Sequence, residues 1–182
     1  VLSKALIVGR FDGLSQDALT SMTPTELNDA GFKSPRSGMP AGQAKWKEAV
    51  ADPTTLQFDL TKVGLPGSNN NAVAYVSVWI NSPRSLDDVL SEPDVPRVDL
   101  LVNGSEKPAA VWLNGTLLKA DGPLASKSAA KQAYPAMVLK KGWNHLVFKL
   151  FRRGGDWKFA AQLQCPDADF MSNLQAAVES PN

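Results

Sequence analysis

Residues 72–80 read AVAYVSVWI, and this stretch restricts the fold more than any other. Alternation puts Ala74, Val76, Val78 and Ile80 on one side of an extended chain. Val73, Tyr75, Ser77 and Trp79 fall on the other. Both sides are largely apolar. Such a strand sits centrally in its sheet and is covered on each face.

Shorter segments of the same period surround it. KALIVG (4–9) opens as a strand ended by Gly9, and TLQFDLTKV (55–63) places Leu56, Phe58 and Leu60 on one face. RVDLLV and AAVWLNG follow, joined by an expected Asn103-Gly104 loop. AMVLKKGWNHLVFKLF predicts a strand, a Lys-Lys-Gly turn and a second strand with Leu146, Phe148 and Leu150 inward. WKFAAQLQC puts Trp157, Phe159, Ala161, Leu163 and Cys165 on a shared face. Asn114-Gly115 reads as a tight hairpin turn. Both Asn-Gly pairs also match glycosylation sequons, Asn103-Gly-Ser and Asn114-Gly-Thr.

Helical signals are short. Thr23, Pro24 and Glu26 form a capping pattern ended by Gly31, and RSLDDVL predicts a small helix capped by Ser85. Phe170, Leu174 and Val178 are spaced four apart, which predicts a C-terminal helix packed back on the body. Many short strands, Gly-rich turns and a long connection over 116–137 make the expected fold all-β, a two-sheet β-sandwich. The expected organisation is one domain over 1–182, with its core in about 4–165 and a helical tail in 166–182.

In order along the chain, LIVGRFD, Trp46, NAVAYVSVWI, VWLNGTLL, VLKKGWNHLVFKLF and GGDWKFAAQL resemble the galactose-binding-like jelly-roll domains. The variety they resemble is the non-catalytic, carbohydrate-binding-module-like domain attached to large bacterial extracytoplasmic proteins. The resemblance implies a jelly-roll sandwich, an accessory role and a periplasmic or secreted location. Relatives carry a Ser-Asp-Asp sequence before the Trp-Leu-Asn-Gly hairpin. Here VNGSEKPAA offers only Glu106, so the ligand or calcium contacts of that pair do not carry over.

Bulk properties narrow the function. Nineteen basic and eighteen acidic residues among 182 leave a net charge of +1, which gives no reason to expect nucleic acid as a partner. No apolar run is long enough for a transmembrane segment. The chain begins at Val1, as a processed precursor or an excised segment would. Cys165 is the single cysteine and His145 the single histidine, which excludes an intrachain disulfide and a multi-histidine metal site. No nucleophile–base–orienter set is legible, so the chain is expected not to be an enzyme and to need no cofactor. Asp87, Asp88, Glu92, Asp94 and Asp99 are read as a solvated acidic loop, with a structural calcium the disfavoured alternative.

Five tryptophans remain as the notable signal. Trp143 and Trp157 are assigned to the core, and Trp46 to a sheet end. Trp79 and Trp112 oppose the aliphatic phase of their strands and are expected to be covered by the 116–137 connection, through Leu117, Leu118, Leu124 and Met137. For a glycan, the candidate ligand-binding residues are Tyr75 and Trp79, four apart on one strand face, with Asn69, Asn70 and Asn71 in the preceding loop. The alternative is a structural or protein-interaction subunit of an extracytoplasmic complex that binds no sugar.

Overall fold

The computed structural model describes the chain except for residues 13, 16, 19–20, 22–26, 28, 63–70, 87–96, 106–107, 121–130, 153 and 182. In chain order its elements are β1 (Lys4–Phe11), α1 (Asp29–Lys33), β2 (Pro40–Ala41), β3 (Ala44–Lys45), β4 (Lys47–Val50), β5 (Phe58–Asp59) and β6 (Ala72–Ser82). Then come β7 (Asp99–Gly104), β8 (Pro108–Leu113), β9 (Thr116–Leu117), β10 (Lys131–Tyr134), β11 (Gly142–Arg152), β12 (Lys158–Gln164), α2 (Ala168–Asn173) and β13 (Gln175–Ala177).

The larger sheet runs β4-β1-β6-β11-β8-β9, with β13 also on β6, and the smaller runs β10-β7-β12-β5. The fold is an all-β, two-sheet sandwich. β6 and β11 pair antiparallel along their full length, from Ala72 opposite Arg152 to Ser82 opposite Gly142. Between the sheets lie Val76, Val78, Ile80, Val111, Leu113, Leu146, Phe148, Leu150, Phe159 and Leu163, in the phase that alternation predicts.

The other face of the larger sheet is apolar too, and a second layer of chain covers much of it. Leu6, Val8, Val73, Tyr75, Ala110, Trp112, Val147 and Phe151 pack there with Leu27, Ala41 and Trp46. Phe32 of α1 meets Trp112 edge-on at 5.4 Å. The Trp46 indole N–H donates to the Gly31 carbonyl at 3.1 Å, tying the β3–β4 junction to α1. Trp112 is therefore covered, but by α1 and the β2–β3 region. In the 116–137 connection, Leu117 is exposed, while Leu118 and Met137 turn into the inter-sheet core. Leu124 lies outside the described residues, as do Thr23, Pro24 and Glu26 of the expected first cap. Gly31, expected to end that helix, sits inside α1.

Several local expectations change. Asn103-Gly104 is no turn: Gly104 ends β7 opposite Phe159, and a Cβ there would lie 2.4 Å from the Lys158 carbonyl oxygen. Glycine is required at that position by close backbone approach, so β7 and β8 belong to different sheets instead of forming a hairpin. The strand expected over 55–63 shrinks to Phe58–Asp59, because Leu56 takes φ 58° and turns out to solvent. Residues 136–139 keep alternating burial, with Met137 and Leu139 in the core, but Ala136 at φ 50° breaks the ladder. The strand lies earlier, at β10.

The C-terminal helix is also shorter than its spacing predicts. The Asp167 carboxylate caps α2 by accepting the Phe170 N–H at 2.9 Å, and Leu174 ends it in extended conformation. β1 pairs with β6 only as far as Ser77, and β13 takes up Trp79–Asn81 of the remaining edge. Pairing those backbone groups competes with further helical turns and wins. Cys165, just beyond β12, packs on the core but is only half-buried.

Asn114-Gly115 does form the tight turn between β8 and β9, with φ 52° and 80°. Nothing approaches a Cβ built on Gly115, so a side chain there is penalised by backbone conformation alone. Gly115→Val is expected to cost about 1–3 kcal/mol. An unchanged melting temperature would show that the turn opens freely.

Candidate functional site

The residues expected to share a sugar platform are not brought together. Tyr75 is fully buried, with its ring edge-on to Phe11 at 6.1 Å and the Lys149 ammonium 5.8 Å from its centre. It presents no face to a ligand. Asn71 is exposed at the start of β6, where its N–H donates to the Arg152 carbonyl at 2.8 Å. Eight residues separate it from Trp79, about 27 Å of strand. Asn69 and Asn70 lie outside the described residues.

Trp79 instead belongs to the opposite end of this face. Two cross-strand rows are formed there by β11, β6 and β13: Trp143–Asn81–Gln175, and His145–Trp79–Ala177. Trp79, Trp143 and Asn81 are half-buried and Gln175 is exposed. Neither indole belongs to the two apolar clusters formed by the described residues. As diagonal neighbours across the β6–β11 pair, Trp79 and Trp143 stand about 7–8 Å apart at the backbone.

A polar brace holds Trp79. The His145 imidazole lies parallel to the indole, with ring centres 4.3 Å apart and 9° between planes. Its Nε2 is 2.8 Å from the Ser77 hydroxyl. Burial pushes the His145 pKa down from 6.5 to about 4, so the ring is neutral near pH 7. The Trp79 Nε1–H is buried without a hydrogen-bond partner. Ser77 and His145 have the types of a nucleophile–base pair, yet the serine is fully buried, which denies a substrate carbonyl access to its hydroxyl.

The backbone around Trp143 is fixed by Asn144, which is fully buried. Its Oδ1 accepts the Lys140 N–H and the Asn114 side-chain N–H, both at 2.9 Å. Its Nδ2 donates to the carbonyls of Lys140 at 2.7 Å and Gly142 at 2.9 Å. The Asn114 Oδ1 in turn accepts the His145 N–H at 2.8 Å, joining the two turns at this end. Trp143 was expected in the core because it follows a turn. Counting back from inward Leu146 places Asn144 inward and Trp143 outward with His145, so the strand phase held the signal.

Among the described residues no group of three His, Cys, Asp or Glu side chains could hold a metal ion. Asp87, Asp88, Glu92 and Asp94 fall outside those residues. The Asp99 carboxylate accepts from the Arg97 guanidinium at 2.9 Å and the Ala136 N–H at 2.8 Å. Its pKa lies below 3.8: burial pushes it up, and these hydrogen bonds outweigh that effect. No helix among the described residues is long and apolar enough to cross a membrane.

Fold and site together define a β-sandwich with a partly open aromatic end on one sheet face. No protein-family model matches the chain, and no curated protein matches it. Eight chains of solved structures do match, among them native α-L-rhamnosidase from Aspergillus terreus. The two are 12% identical with a TM-score of 0.32, over 97% of this chain and 24% of that one. This chain thus spans about a quarter of that protein's length.

Proposed function

We propose that this chain is a non-catalytic, carbohydrate-binding-like module of the galactose-binding-like jelly-roll type, accessory to a larger extracytoplasmic protein or assembly. One observation carries the reading. Where most of the outer sheet face is sealed by a second layer, its far end keeps two half-buried indoles beside two carboxamides. Aromatic faces stack on the apolar side of sugar rings, and carboxamides both donate to and accept from hydroxyls. The extracytoplasmic placement follows the sequence resemblance. The non-catalytic part of the reading rests on the sequence, in which no nucleophile–base–orienter set is legible.

The purified chain is to be titrated with an array of mono- and oligosaccharides and assayed for glycoside and ester hydrolysis. Saturable glycan binding with no turnover is the expected result. Hydrolysis that disappears in His145→Ala would overturn the non-catalytic reading. A second reading, a protein-interaction subunit, is favoured by two exposed aliphatic side chains, Val50 at the end of the edge strand β4 and Leu56 in the loop that follows, which are 61% and 42% exposed. It predicts no glycan binding and stoichiometric co-purification with a larger assembly.

A further inference from the structure

We infer that the Trp79–Trp143 end of the outer sheet face binds one neutral pyranose ring, with Asn81 and Gln175 as the partners of its hydroxyls. The inference rests on the carbohydrate-binding reading above and names its site.

Four features of the two rows lead there. Trp79 and Trp143 are diagonal neighbours, so both indoles can border one ring-sized ligand. Asn81 stands directly between Trp143 and Gln175, which puts two carboxamides in line beside the aromatic pair. Each carboxamide offers donors and an acceptor, the combination a vicinal diol needs. Trp79 is flanked on one side by the stacked His145 ring and on the other by Ala177, whose methyl fills little space.

Charge sets the ligand class. Of the six side chains in the two rows, only His145 titrates, and burial keeps it neutral at physiological pH. No formal charge in the rows repays the desolvation of an anionic or cationic ligand. A ring with an apolar face and a hydroxylated edge matches these surroundings; a sulfated or uronic sugar does not. His145 acts here as a positioning residue, since it braces the indole that would touch the ligand.

The test uses the whole chain. Galactose, glucose and xylose, their β-linked disaccharides and glucuronic acid are titrated, with calorimetry and tryptophan fluorescence as readouts. Trp143→Ala and Asn81→Ala are each expected to weaken binding of the best neutral sugar at least about tenfold, a change of about 1.4 kcal/mol. Circular dichroism and melting temperature establish that each variant is folded. Should Trp143→Ala fail to fold, Trp143→Phe, which keeps a smaller ring, is expected to fold and to bind more weakly than the wild type. Sugar binding that survives Trp143→Ala and Asn81→Ala overturns this site and leaves the carbohydrate reading intact. Glucuronic acid bound more tightly than glucose overturns the neutral class. No binding of any sugar at millimolar concentration overturns both the site and the reading on which it rests.

Discussion

Phe148→Ala is expected to lower the unfolding free energy by about 3–5 kcal/mol. Phe148 is fully buried on β11, opposite Val76 on one neighbour strand and Val111 on the other. Its ring meets Phe159 of the smaller sheet at 4.8 Å, and Phe159 stacks on Phe58 at 6.3 Å. Truncation therefore empties a site that both sheets fill, and antiparallel ladders on either side leave little freedom to collapse into it. Denaturant unfolding of wild type and variant measures the loss. A value under about 1 kcal/mol would mean that residue 148 does not face the other sheet.

The second large effect is on stability against pH. The His145 ring has a pKa of about 4 when folded, against 6.5 in an unfolded chain. Between those values the unfolded chain binds the proton and the folded one does not, so acid favours unfolding. The contribution of neutral His145 is intact above about pH 6.5, declines as pH falls toward 4, and levels off below that. The gap corresponds to roughly 3 kcal/mol across this interval. Asp52, Asp59 and Asp99 have pKa values lowered from 3.8, and their contributions are lost as pH falls below that value. The histidine window thus lies above the carboxylate window, and the two adjoin near pH 4. Because the chain has one histidine, its imidazole proton resonance titrates without overlap. A midpoint near 6.5 in the folded protein would contradict the buried stack, and His145→Gln is expected to flatten the stability curve between pH 6.5 and 4.

Much of the sandwich was legible from period alone. AVAYVSVWI identified β6 as a central strand covered on both faces, and the phase of Leu146, Phe148 and Leu150 assigned the inward side of β11. Alternation reports burial, though, and not hydrogen-bond partners. That is why 136–139 alternate correctly outside any ladder, and why Asn103-Gly104 looked like a turn. A glycine needed for close backbone approach and one needed for positive φ are the same letter. The C-terminal segment was misread for a related reason: the spacing of Phe170, Leu174 and Val178 is local, whereas the open edge of β6 is made by strands far away in sequence. The covering of Trp112 by Phe32 joins residues 80 positions apart, and no local pattern encodes it.

The candidate site was legible in part. Trp79 was singled out from its strand phase, but the platform it would share with Tyr75, the alternative to a covered face, needs both rings open. Tyr75 is fully buried, whereas Trp79 on the same strand face is only half-buried. Trp143, Asn81 and Gln175 required the register of three strands to be seen together.

Asn144 has a consequence for anything that lands on this end of the molecule. Binding to a mobile turn spends free energy on ordering that turn, roughly 0.5–1.5 kcal/mol for each long side chain immobilised, with loop ordering in addition. Here the carboxamide next to Trp143 already clasps the backbone of Lys140 and Gly142 and, through Asn114, the neighbouring turn. The segment carrying the indole has surrendered its conformational entropy during folding, so little is left to lose on contact. Slow amide exchange at Lys140 and His145, whose N–H groups are held by Asn144 and Asn114, would register that rigidity directly, in the empty protein and before any ligand is known.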